Sequence, residues 1–382
     1  MKPIQKIVQH TLDLAVEIQQ IPAPTFEEER RAEFIRARFA AEGLTDIQMD
    51  AVGNVYARLP GADSDQTPLV VTAHMDTVFP KETDLTLRRK TGRVYGPGIG
   101  DNSLGLAGLF GLVWLLRGRN IRLPGDLWLV ADVGEEGLGN LRGIRAVVER
   151  FGHRTAGYLA VEGMGLGQIF HCGLAVQRYR ITLATPGGHS WIHYGQPSAV
   201  HEMAALISRL TALPLPTQPR TTLNVGRVEG GTTVNTIAAQ AMLELDLRSE
   251  NLKTLQEIAS QVKKTAASFR RSNVHCSLEE IGRRPVGEIS PDHPLVRLAA
   301  QILAELGVTP TLSAGSTDAN LPLSLGYPAI CIGLTTGEGA HTLNEFIYTR
   351  PVQIGLEQLY QLAARVWGVM AGRPAERKPI HL

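Results

Sequence analysis

Pro68-Leu69-Val70-Val71-Thr72-Ala73-His74-Met75-Asp76 is an apolar run closed by a histidine and an acid, and the fold is read from it. Its first six residues do not alternate between apolar and polar, which predicts a short strand buried on both faces. Asp126–Val133 (DLWLVADV) and Tyr158–Val161 have the same character. Helical patterns lie between these runs, at about 103–117 and 139–151. Buried strands alternating with helices predict an α/β layer on a mainly parallel sheet, with helices on both faces. Upstream, Thr25-Phe26-Glu27-Glu28 offers an N-cap with an acid three residues on, and Gly43 offers a stop, so a helix is expected between them.

The character of the chain changes near residue 174. Leu174–Ala184 (LAVQRYRITLA) alternates, as a strand with one wet face does. A helix at about 197–212, strands at 223–228 and 239–247, a helix at about 252–270 and a strand at about 273–281 follow. This β-α-β-β-α-β order predicts a small α+β sandwich. After Pro285 the apolar style returns, with a helix at 292–306, the strand Pro328–Leu334 and a last helix after Pro351. The expected organisation is an α/β domain over residues 1–173 and 288–382, split by an inserted α+β domain over 174–287.

Composition narrows the function classes. Lys plus Arg number 38 and Asp plus Glu 37, a balance that creates no global field for nucleic acid or anionic lipid. The N-terminal rhythm of Ile4, Ile7, Val8, Leu12 and Ala15 is helical, unlike a signal core. The longest apolar run, Leu104–Leu116, is shorter than the ~20 residues a bilayer span needs, so a buried helix is expected. Cys172, Cys276 and Cys331 form no CxxC, and their odd number fits a reducing cytoplasm better than a disulfide framework.

Acids and histidines gather where predicted strands end. His74 and Asp76 follow the first strand, and Asp101 ends the turn Gly96-Pro97-Gly98-Ile99-Gly100. Glu135 and Glu136 follow the second strand, Glu162 the third, and His341 the strand at 328–334. Open α/β sheets bind ligands at the carboxyl ends of their strands, so these sites can converge on one crevice. Imidazole and carboxylate suit Zn²⁺. Two Zn²⁺ ions would be balanced by Asp101, Glu136, Glu162 and a shared hydroxide, which favours a dinuclear site. Singly, each residue reads as an N-cap, a solvated acid or a structural histidine. Five separate sites together do not.

The order His74-Met75-Asp76, Gly98-Ile99-Gly100-Asp101-Asn102, Gly134-Glu135-Glu136-Gly137, Val161-Glu162-Gly163 and His341-Thr342-Leu343-Asn344-Glu345 resembles the M20 family of metallopeptidases. That family holds carboxypeptidases, di- and tripeptidases and amino-acid deacylases. The resemblance implies a zinc-exopeptidase-like sheet with an inserted lid and dimerisation domain. It implies that Asp101 bridges two Zn²⁺ (Co²⁺ or Mn²⁺ being alternatives), with His74 and Glu162 on one and Glu136 and His341 on the other. It implies Glu135 as general base, acting on a water shared by the metals, and Asp76 as the residue that hydrogen-bonds the His74 ring. It also implies a cis bond between Asp101 and Asn102.

The same resemblance reaches the inserted domain. His189, in Gly187-Gly188-His189-Ser190, looks like the lid histidine that enters the partner subunit's site, which requires a homodimer. Asn235 resembles the residue that touches the substrate carbonyl, and Arg248 the one that grips a substrate carboxylate in its planar fork. Gly315, in Gly315-Ser316-Thr317-Asp318, resembles the loop lining the substrate pocket. His171, His193 and His201 match no such role and read as structural. A glutamate at 162 leans towards carboxypeptidases and deacylases, acting on a small peptide or N-acyl amino acid. An aminopeptidase on the same site, or a catalytically silent metal-containing ligand-binding dimer, are the alternatives.

Overall fold

The structure, a computed structural model, describes residues 3–370. The chain divides into two compact units, one running through Gly173 and again from Gly287, the other spanning Leu174–Val286. Each has its own apolar core.

The first unit is built on an eight-stranded sheet. Its centre is four mutually parallel strands, Leu127–Asp132, Leu69–His74, Gly157–Met164 and Ala329–Thr335, in that spatial order. Leu69–His74 and Ala329–Thr335 are buried at every position, which is why the sequence shows them as apolar runs without alternation. Val55–Leu59 and Thr45–Met49 continue one side in antiparallel fashion. Gln168–Gly173, antiparallel to Ala329–Thr335, and Thr311–Gly315 complete the other. Helices Pro3–Gln19, Leu104–Gly118 and Val352–Met370 pack on one another and on the central strands. Among the described residues, the segment ending in Leu104–Gly118 is alone in being apolar and long enough to cross a membrane, and 89% of it is buried as a core helix. A small second sheet pairs Arg88–Lys90, Arg93–Tyr95, Phe346–Tyr348 and Gly337–Glu338. These strands are too short to show any periodicity in sequence.

The second unit has the order strand Ala175–Ala184, helix Ala199–Thr211, strands Thr221–Gly230 and Gln240–Ser249, helix Leu252–Ala267, strand His275–Arg284. The four strands form one antiparallel sheet with Thr221–Gly230 at one edge and His275–Arg284 at the other. Ala175, Tyr179, Ile181 and Leu183 point to the helices, as the alternation of that stretch requires.

The expected N-cap at Thr25 is not made. The helix starts at Glu29, and its N-cap residue Glu28 makes no side-chain cap bond. Thr25 instead donates its hydroxyl to Asp76 Oδ2 at 2.9 Å, a charge-assisted bond to a buried carboxylate.

Candidate metal centre

Parallel strands deliver their carboxyl ends to one edge, and the candidate residues meet there. His74 is the last residue of its strand, and Glu162 lies near the end of Gly157–Met164. Glu135 and Glu136 stand on the loop after Leu127–Asp132, and His341 on the loop after Ala329–Thr335. Asp101 projects between the two histidines. Its Oδ1 lies 3.2 Å from His74 Nε2, and its Oδ2 lies 3.1 Å from His341 Nε2. His74 Nε2 is 3.6 Å from Glu162 Oε2, and His341 Nε2 is 3.1 Å from Glu136 Oε1. Two triads result, His74–Asp101–Glu162 and Asp101–Glu136–His341, each with its donor atoms within 4.8 Å. They share Asp101, one oxygen facing each side.

The donor sets fit zinc. Nitrogen and oxygen ligands about 2.0–2.1 Å from a tetrahedral ion stand roughly 3.3–3.4 Å apart. Separations of 3.1–3.6 Å between the histidine and carboxylate atoms agree with that spacing. His74 Nδ1 is 3.0 Å from the Asp76 carbonyl oxygen, to which it donates. That fixes the tautomer and leaves the Nε2 lone pair for a ligand.

The charges in this pocket are crowded. Burial, then the neighbouring Asp101 charge, pushes the Glu136 carboxyl up to about 7. Burial likewise raises Glu162 to about 7. Burial opposes ionisation of Asp101 as well, but hydrogen bonds from His341 and His74 hold it well below the carboxylate range. His341 is raised to about 10 by its bonds to Asp101 and Glu136. His74 is raised too, because Glu162 and Asp101 outweigh its burial. Carboxylates in such a site demand positive charge. Divalent cations would supply it, held by neutral imidazoles and ionised carboxylates.

Asp76 makes two kinds of supporting contact. Asp76 holds the His74 ring through its carbonyl, while its carboxylate Oδ1 lies 3.6 Å from Nδ1. The carboxylate instead accepts the Glu135 amide at 3.0 Å and the Glu136 amide at 2.9 Å. Those amides point at it because the glutamate loop turns over the end of the neighbouring strand. One residue thus orients both a histidine and the glutamate pair.

Glu345 closes the His341-Thr342-Leu343-Asn344-Glu345 motif, and its role comes from the structure. Its buried carboxylate accepts the amides of Gly98, Gly100 and Asp101 at 2.9, 2.7 and 2.9 Å, shaping the turn that presents Asp101. Replacing it by Gln puts an NH2 group against those donors. Glu345→Gln is expected to weaken metal binding by about 10–100-fold, read by competition with a chromophoric chelator. The Asp101–Asn102 peptide bond is cis. Asn102 ties this turn to the Glu162 strand, donating to Val161 O at 2.8 Å and accepting from Gly163 N at 2.9 Å. Gly163 permits the approach, since a Cβ there would lie 2.2 Å from Gly100 O.

Asp132 and Asp318 also stand close to the centre. Both are buried near His74, and burial raises both carboxyls, Asp132 to about 7. No motif spacing links residues so far apart in sequence.

With the geometry in hand, comparison with known proteins identifies the family. The model for peptidase family M20/M25/M40 matches residues 70–365, well over half of the chain. The chain belongs to this family. Among M20 relatives, the uncharacterized protein YqjE of Bacillus subtilis is 24% identical, over 94% of this chain and 97% of its own. A succinyl-diaminopimelate desuccinylase of Gluconacetobacter diazotrophicus is 26% identical, over 77% of this chain and 79% of its own. A tripeptidase structure from Staphylococcus aureus superposes with a TM-score of 0.74 at 22% identity, covering 94% of this chain and 98% of that one, a likeness of fold. This M20 chain is therefore an enzyme, a metal-dependent hydrolase of the peptidase and amidohydrolase kind.

The remaining candidates of this M20 chain are distributed as follows. Gly315 ends the strand Thr311–Gly315 in the first unit, where a Cβ would lie 2.6 Å from the Phe170 ring. His189, Asn235 and Arg248 belong to the second unit. His189 lies in a two-residue strand paired with Thr236–Ile237, which brings it beside Asn235, whose carbonyl accepts from Ser190 N at 3.0 Å. His189 Nδ1 accepts the Trp191 amide at 3.2 Å, so Nε2 carries the proton and serves as a donor. His193 supports it, accepting the His189 amide at 2.9 Å. Arg248 donates through Nε to Asp246 at 2.7 Å and is 42% exposed.

Proposed function

We propose that this enzyme is a dinuclear-zinc hydrolase that cuts a peptide or N-acyl-amino-acid amide bond beside a free C-terminal carboxylate. The observation that carries this reading is the pair of triads sharing Asp101, with Glu135 buried beside His74 and Glu136. Asp101 would hold both ions, His74 and Glu162 one of them, Glu136 and His341 the other. Two Zn²⁺ ions (or Co²⁺ or Mn²⁺) would acidify a water and polarise the scissile carbonyl.

Glu135 takes the proton of the attacking water and returns it to the leaving amine. Its main-chain amide is pinned by Asp76, so the carboxylate starts from a fixed base. His189 donates Nε2–H to the developing oxyanion of a partner subunit in a homodimer formed through the inserted unit, and Asn235 meets the substrate carbonyl. Arg248 grips the substrate carboxylate; its Nε bond to Asp246 orients the guanidinium and leaves the terminal nitrogens for that task. A cytoplasmic location belongs to the same reading, since Cys172, Cys276 and Cys331 form no CxxC motif.

Arg248→Lys removes the planar fork and keeps the charge. It is expected to lower kcat/KM for substrates with a free carboxylate by about 10–100-fold, as loss of a charged hydrogen bond does, and to leave C-terminal amides unaffected. The experiment for the whole reading is hydrolysis of a panel by metal-loaded and chelator-treated enzyme. N-acyl amino acids, dipeptides, their C-terminal amides, and tripeptides with free or blocked N-termini make up the panel. Metal-dependent cleavage that requires the free carboxylate supports the proposal. A requirement for a free N-terminus makes this an aminopeptidase, and no turnover of the panel with metal bound counts against the proposal and favours the ligand-binding reading.

A further inference from the structure

The segment before the family-matched residues reaches the glutamate pair from behind. Residues 21–31 form a strap along the His74–Thr77 loop. Thr77 N donates to Ala23 O at 2.9 Å, and the buried Arg31 donates to Met75 O at 2.6 Å and to Ile21 O at 2.5 Å. Thr25 donates its hydroxyl to Asp76 Oδ2, which already takes the Glu136 amide, while Oδ1 takes the Glu135 amide. Glu28 closes the other end. Both its oxygens accept from Arg142 Nη2, at 2.8 and 2.7 Å. The Arg142 side chain lies over Gly134, the residue before Glu135, where a Cβ would meet Arg142 Cγ at 2.6 Å. The loop bearing the base is gripped from both sides, and Thr25, Glu28 and Arg31, which anchor the grip, lie outside residues 70–365.

We propose that Thr25 is a positioning residue for the hydrolytic reaction, acting through the Asp76 carboxylate on the loop that carries Glu135. This rests on the reading of Glu135 as general base. The reason is geometric. Asp76 is fully buried, and its two oxygens must face two successive amides at once. Rotation of that carboxylate would lengthen one amide bond as it shortened the other. The Thr25 hydroxyl, approaching Oδ2 from a separate segment, fixes the rotation with a charge-assisted bond. Arg31 and the strap hold the hydroxyl in place.

The test is steady-state kinetics of the metal-loaded, full-length enzyme. Thr25→Val keeps the shape and removes the donor. It is expected to lower kcat about tenfold, with KM and bound metal unchanged, and Thr25→Ser should restore most of the loss. Glu28→Gln, which weakens the grip from the other side, should lower kcat in the same selective way and serves if the valine variant does not fold. Combining Thr25→Val with Glu135→Gln should cost no more than Glu135→Gln alone, because the positioned group is then absent. An unchanged kcat in Thr25→Val, a loss that serine does not rescue, a fall in bound metal, or additivity in the double variant overturns the proposal. Full hydrolysis by Glu135→Gln alone would instead sink the assignment of the base, separately from Thr25.

Discussion

Glu135→Gln is expected to lower kcat by about 10²–10⁴-fold while two metal equivalents stay bound, since that range is what a positioned general base contributes. The substitution keeps side-chain shape. It also keeps the main-chain amide that donates to Asp76 Oδ1 at 3.0 Å, so the loop and its neighbour Glu136 should not move. What is lost is the ability to accept a proton from water and return it to the leaving nitrogen. In activation free energy this is about 3–5 kcal/mol. Parallel measurement of turnover and metal content, by elemental analysis of dialysed protein, decides the matter. Glu135 also belongs to a third cluster, with His74 and Glu136, whose donor atoms lie within 4.8 Å. A loss of one metal equivalent in the variant would therefore make Glu135 a ligand and end its assignment as the base.

Asp101→Asn should have the other large effect, and of a different kind. Asp101 is the one residue common to the two histidine triads, with an oxygen 3.2 Å from His74 Nε2 and another 3.1 Å from His341 Nε2. An amide supplies one acceptor oxygen and turns an NH2 group towards the second ion. The variant would also remove one of the three negative charges that would face the proposed pair of divalent cations. Bound metal is expected to fall from two equivalents to fewer than one. Activity at ordinary metal concentrations should drop by at least on the order of 10³-fold, the equivalent of several kcal/mol of lost carbonyl polarisation. The Asp101 amide still reaches Glu345, so the turn itself should survive and circular dichroism should be unchanged. Retention of both metals would show that the bridging assignment is wrong.

Much of the fold was legible because its central strands are buried on both faces and its inserted sheet on one. The first condition leaves apolar runs such as Leu69–His74, and the second leaves alternation such as Ala175–Ala184, so each sheet announces its own environment. The residues of the two triads were legible for a related reason. A parallel sheet puts all its carboxyl ends on one edge, so acids and histidines directly after predicted strands are candidates for one site. The short strands at 88–90, 93–95, 337–338 and 346–348 carried no such signal, since three residues cannot display a period.

From its residues and their order, then, the sequence by itself determined the α/β layer, the inserted α+β unit and the shortlist of histidines and carboxylates at strand ends. Only the tertiary structure decided which backbone and side-chain groups hold that shortlist in place. Thr25, which reads as a helix cap, is a donor to Asp76; Asp76, expected at the His74 ring, meets it with its carbonyl and also binds the Glu135 and Glu136 amides with its carboxylate. Glu345 shapes a turn some 245 residues earlier in the chain. The physical reason is that a buried carboxylate takes whichever donors converge on it, and convergence across distant segments leaves no periodicity or spacing in the sequence.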